Sequence, residues 1–117
     1  MTPKEFVDGV RQVVLEASVS DTVSVVQSPP GRRPARELVE LSNWFNALGD
    51  GDRAMVKRIL ELEARQAVFG LLSVIDGSRQ IEPSVGPKGH FELRFIKDGI
   101  PEVLSGPDGD VLHELLE

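Results

Sequence analysis

The chain has 117 residues, of which 40% are hydrophobic and 5% aromatic; it has no cysteine, and 13 Lys and Arg stand against 19 Asp and Glu for a net charge of −6. Disulfides, thiolate metal sites and a cysteine nucleophile are therefore excluded, and the apolar content is too high for a disordered chain. The negative charge disfavours nucleic acid and anionic membranes unless the positive charges are gathered in one place.

The length predicts a single domain over residues 1–117. Thr2, Pro3 and Glu5 form a helix start: a cap, a proline tolerated at the first helical position, and the partner of a capping box. Phe6, Val10, Val13 and Ala17 recur at helical spacing, with Val7 and Val14 widening the stripe, and Val19, Val23 and Val26 continue it. One long helix to about Gln27 is expected. The stretch Ser28-Pro29-Pro30-Gly31-Arg32-Arg33-Pro34 must be a loop, because consecutive prolines lack donors and push their predecessors out of the helical region.

A second helix is predicted over 34–48, with Leu38, Leu41, Phe45 and Leu48 as its core stripe and Trp44 beside it. Gly49 to Asp52 form a turn with Asp50 or Asp52 as the next cap. A third helix is predicted to about Ile75, with Val56, Ile59 and Leu60 facing inward. From Ala67 it becomes apolar nearly all round, which points to cover on several sides; a buried strand over 67–75 is the rival reading. Gly77 supplies a left-handed stop.

The remainder is β-like. A short strand is expected over 79–82. Phe91, Leu93 and Phe95 alternate with Glu92 and Arg94 as in a half-buried strand, and Asp98-Gly99 is a strong hairpin signal. Pairing Lys97 with Ile100 puts Leu93 opposite Leu104 and places Phe91, Leu93, Phe95 and Leu104 on a core face that should pack on the third helix. Ile96 and Val103 then share the other face, which should be covered by the first helix or by a second copy. Asp110 is a candidate cap for a short last helix carrying Val111, Leu112, Leu115 and Leu116. The expected fold class is α+β: three N-terminal helices, a small antiparallel β-sheet with a hairpin at Asp98-Gly99, and a short C-terminal helix.

Few residues carry a chemical motif. His113-Glu114 opens like the zinc-protease helix, but the fourth position after the histidine is Glu117, not a second histidine. Asp108 and Asp110 lack the later ligands of a calcium loop. No Gly-x-Ser-x-Gly elbow and no phosphate-binding glycine loop occur. The sequence points to no catalytic residue, metal or cofactor. The candidate binding residues are Arg32, Arg33 and Arg36, three cations around a glycine loop before a helix, and Asp76 and Arg79, charges just beyond the most apolar segment. For Asp76 and Arg79 the plainer reading is a local ion pair at a helix end.

The stretches PPGRRP, ELSNWFNAL, VFGLLSVIDGSRQIE, FELRF and GDVLHELL resemble those of a group of small bacterial proteins without an assigned function. The resemblance covers most of the chain, implies a bacterial single-domain protein and carries over no catalytic residue. With a charged amino terminus and no apolar run long enough to span a membrane, a cytoplasmic location is expected. Two functions are in play. The first is a non-enzymatic protein-binding module working through an acidic surface on a protein partner that is basic. This profile is shared by immunity proteins and antitoxins, and a homodimer is compatible with it. The second is a small enzyme or binder of an anionic metabolite using Arg32, Arg33 or Arg79. A closed pocket holding one of these arginines beside a carboxylate would favour the second.

Overall fold

A computed structural model describes all residues from Met1 to Glu117. The order is α1 (Pro3–Val10), a π-helical segment (Arg11–Glu16), α2 (Ala17–Gln27), α3 (Arg36–Ala47), α4 (Asp50–Ile75), β1 (Leu93–Lys97), β2 (Ile100–Ser105) and a 3-10 helix (Leu112–Leu116). The class is α+β, as the sequence implies. No helix is long and apolar enough to cross a membrane. The chain divides into two compact units: a terminal unit of Met1–Gln12 with Gln66–Glu117, and a central unit of Val13–Arg65.

The start of α1 follows from local chemistry. Thr2 Oγ1 accepts from the Glu5 backbone N–H at 3.1 Å, and Glu5 Oε2 accepts from the Thr2 N–H at 3.1 Å. The reciprocal pair satisfies two of the donors that a helix start leaves free. Beyond Val10 the helical run continues but its bonding changes to the π pattern. A π segment holds an extra residue, so the apolar stripe slips around the axis. Val7, Leu15 and Val19 are buried, whereas Val13 and Val14, which a uniform helix would turn inward, are exposed.

In the terminal unit the hairpin turns through Asp98 at φ 51° and Gly99 at φ 76°. Two consecutive left-handed residues are the backbone of a type I′ turn, and glycine adopts that conformation without Cβ strain. The strands pair antiparallel, with Lys97 opposite Ile100 and Arg94 opposite Val103. The expected register holds up to that point and then breaks. A bulge between Leu93 and Arg94 sets Leu93 opposite Ser105 instead of Leu104. An extra residue locally bends a strand and re-aims its side chains. Leu104 and Ser105, adjacent in sequence, are both buried as a result.

Further expectations for this unit are corrected. Residues 79–82 form no strand, and Phe91 precedes β1 and is exposed. The hairpin rests mainly on α1 through β2, and α1 also packs on the 3-10 helix, so α1 takes the place expected for the third helix. The end of α4 buries only the side carrying Gly70, Leu72 and Ser73, while Leu71 is exposed. The outer hairpin face, with Ile96 and Val103, is open within the chain, so α1 is not its cover.

In the central unit α3 begins and ends two residues and one residue inside the expected span. Asn46 Nδ2 donates to the Gln27 carbonyl at 3.0 Å, tying α3 to the end of α2, and to Ser42 Oγ at 3.2 Å. Phe45 is the deepest apolar residue of this unit. Asp50 and Asp52 lie inside the first turn of α4, not ahead of it. There their charges favour the helix dipole, and Asp50 also pairs with Arg53.

Candidate functional site

The candidate residues do not converge. Arg32, Arg33 and Arg36 belong to the central unit, and Asp76 and Arg79 to the terminal unit. Arg32 and Arg33 are exposed on the loop before α3. Arg36, in the first turn of α3, lies along the helix surface with its Nε 3.2 Å from Glu40 Oε1. A solvated i,i+4 pair of this kind contributes little and leaves no oriented cation for a ligand.

Asp76 and Arg79 form no ion pair with each other; the expected local pair is replaced by two separate arrangements. Gly77, at φ 85°, ends α4, and the Arg79 N–H donates to the Ser73 carbonyl at 2.9 Å. The Arg79 side chain runs back over α4, its Nη1 lying only 2.7 Å from where a Cβ on Gly70 would be. Glycine at 70 is what leaves room for the guanidinium. Asp76 instead turns toward the C-terminal segment. Its Oδ1 accepts from the Ser78 N–H at 3.0 Å; its Oδ2 accepts from the His113 N–H at 3.1 Å and lies 2.7 Å from His113 Nδ1.

This carboxylate caps the 3-10 helix from 37 positions away in sequence. Its side chain is 1% exposed. Burial pushes the Asp76 carboxyl up, but the hydrogen bonds from Ser78 and His113 outweigh it and hold the group below its ordinary value. The His113 ring also meets Phe69 edge-on, with centroids 4.9 Å apart. An aspartate on Nδ1 orients an imidazole and leaves Nε2 as its other reactive atom. No serine, threonine or lysine side chain is hydrogen-bonded to His113 to complete a nucleophilic arrangement, so the observed effect of the pair is to fasten the 3-10 helix to the end of α4. Sequence reasoning found both residues but assigned His113 to an incomplete zinc motif; the link to Asp76 had no local signal.

On the opposite side of the 3-10 helix, the Arg11 guanidinium donates to the Leu116 carbonyl and contacts Asp8 at 3.2 Å. Leu112 and Leu116, the first and last residues of this helix, are fully buried. The helix thus has its first turn held by a carboxylate and its last by a cation, in the sense its dipole favours.

One small cavity places Arg79 near a carboxylate, Glu82, together with His90; it measures about 20 Å³. That is room for roughly one water molecule, not for a metabolite. Both Glu82 oxygens are engaged by the Gly89 N–H, at 3.1 and 3.2 Å.

The central unit offers a different kind of site. A groove of about 200 Å³ opens between α2, α3 and α4, lined by Val23, Val26, Leu41, Trp44, Val56 and Leu60 among others, and its surface is wholly apolar. Trp44, the single tryptophan of a chain without tyrosine, is 57% exposed at its edge, and Leu41 is half exposed. Leu41 belongs to the stripe expected in the core, yet it meets water. Glu37 lies one turn before Leu41 on the same face of α3.

Charge is also divided unevenly. The central unit carries eight Asp and Glu against seven Lys and Arg, a net −1; the terminal unit carries eleven against six, a net −5. The acidity read from the whole chain therefore belongs almost entirely to the terminal unit. Comparison with protein-family models, with curated proteins and with solved structures gave no match.

Proposed function

We propose that the protein is a non-enzymatic protein-binding module acting in the bacterial cytoplasm, with the apolar groove of the central unit as its contact site. One observation carries this reading: a wholly apolar groove between three helices lies open, with a tryptophan and a leucine at its edge. Tryptophan is prominent among the residues that dominate binding energy at interfaces, and an open apolar groove between helices suits the apolar ridge of an amphipathic helix. The net charge of −6, carried almost entirely by the terminal unit, favours the approach of a basic partner, and Glu37 beside Leu41 favours basic residues flanking the bound helix. The same charge profile suits an immunity protein or antitoxin that covers a basic partner.

The single tryptophan makes the groove directly observable. Titration with a designed amphipathic peptide of leucines and lysines at helical spacing should shift Trp44 emission to the blue and saturate. The shift should vanish in Leu41→Asp, with the helical circular dichroism unchanged. Emission unmoved in the wild type, or an equal shift in Leu41→Asp, would remove the groove as the contact site.

A further inference from the structure

We infer that two copies of this chain associate in parallel through the outer face of α4, with Met55, Ile59 and Leu62 as the seam. These residues are 53%, 64% and 58% exposed, so three large apolar side chains follow one another along water-facing helix. Their spacing is four and then three residues, the alternation of a coiled-coil seam. Ile59 takes an a position and Met55 and Leu62 take d positions. The preceding and following a positions are Asp52 and Gln66, so the apolar seam is short and bounded at both ends.

This seam is not the groove. Val56 and Leu60 line the groove, and each is displaced by about 100° around the helix from Met55 and Ile59. Helix α4 is therefore apolar on two separate sides, and only one of them faces α2 and α3. An ordinary surface helix needs one apolar side. The inference stands whether or not the groove takes a partner.

The flanking charges select a second copy and its direction. Arg58 occupies the g position before Ile59, and Glu63 the e position after Leu62. In a parallel pair g faces e′ five residues on, which brings Arg58 of each copy to Glu63 of the other, two opposite-charge pairs related by the two-fold axis. In an antiparallel pair g faces g′, which brings Arg58 toward Arg65. Neither Arg58 nor Glu63 has an ion-pair partner within its own chain. The Arg58 guanidinium lies along the seam instead, 3.6 Å from Met55 Sδ. The surface is thus self-complementary in both its apolar and its charged parts.

Sedimentation across a concentration series tests this on the full chain. The mass should rise from 12.8 kDa toward twice that value as concentration increases. Ile59→Asp should stay monomeric with unchanged circular dichroism, since the residue is exposed. The paired substitution Ile96→Asp and Val103→Asp, on the open face of the hairpin, should leave the dimer intact. Arg58→Glu alone should weaken association by setting a second carboxylate against Glu63 of the other copy, and Arg58→Glu with Glu63→Arg should restore it. A monomer at every concentration, a dimer that survives Ile59→Asp, or one lost only with the hairpin variant would overturn the inference. Strengthening by Arg58→Glu alone would overturn the parallel arrangement. Trp44 emission with the basic peptide should respond equally in wild type and Ile59→Asp, which separates loss of the seam from loss of the groove.

Discussion

In the terminal unit Val7, Leu112 and Leu116 have no contact with water, and Leu72 and Leu104 have almost none. In the central unit the deepest apolar residues are Phe45, Val19 and Leu15, each still touched by solvent. The exposed apolar residues differ as well. Those of the terminal unit lie mostly on the hairpin's outer face and on the 76–92 connection, whereas those of the central unit all lie on helices, with Leu41 and Trp44 on α3 and Met55, Ile59 and Leu62 on α4 each about one turn from the next. The net negative charge is concentrated in the first unit and the regular apolar surface in the second. The two units thus use their apolar residues differently: the terminal unit puts them into its own core, and the central unit holds many of its own on helices facing outward, where another protein surface can cover them.

The largest expected effect comes from emptying the closed core. Leu112→Ala or Leu116→Ala should destabilise by about 2–5 kcal/mol, the range for truncating a buried leucine, read from chemical denaturation. If either variant costs no more than an exposed substitution, the terminal unit has no closed core and the contrast with the central unit fails.

Asp76→Ala comes next. It leaves the N–H groups of Ser78 and His113 without their acceptor, at about 1–3 kcal/mol for each buried group that water cannot reach. The contribution has a defined pH dependence. Because the folded-state carboxyl is held below its ordinary value of 3.8, its stabilisation is present in full above that value and is lost as pH falls through the lower folded value. The stability gap between wild type and Asp76→Asn should therefore be constant near neutrality and narrow below about pH 4. A gap that widens on acidification would show that the hydrogen bonds do not favour the ionised form.

Gly99→Val should cost about 1–2 kcal/mol, since φ of 76° places a branched side chain in the left-handed region. The loss should appear as earlier thermal unfolding with the helical signal preserved at low temperature.

Ser105→Ala should have the opposite sign. Ser105 Oγ is buried without a hydrogen-bond partner, so removing it should be neutral or stabilise by up to about 1 kcal/mol. Destabilisation by a full kcal/mol would mean that the hydroxyl is satisfied. Smallest of all, Leu62→Ser in dilute protein should change stability by about 0.5 kcal/mol or less, as for other exposed positions. A larger loss would place Leu62 in the core of the central unit and remove the contrast between the two units.

Much of the fold was legible because its signals are local. The capping box at Thr2 and Glu5, the proline-rich loop before α3, the Gly77 stop and the Asp98-Gly99 turn each act within a few residues. Backbone sterics and nearby hydrogen bonds decide them wherever the rest of the chain lies. The α+β class follows from the change of apolar period after Gly77. What the tertiary structure alone decided depends on partners far apart in sequence or on one extra residue. The π segment moved Val13 and Val14 outward, and the bulge at Leu93 exchanged Leu104 for Ser105; periodicity cannot register an insertion that leaves composition unchanged. Asp76 became the cap of the C-terminal 3-10 helix, and Arg79 settled over Gly70, because their nearest polar partners were set by how the terminal unit closes. The outward placement of Leu41 and Ile59 was likewise invisible in the sequence. An apolar stripe records that a face avoids water, not whether the surface covering it belongs to the same chain.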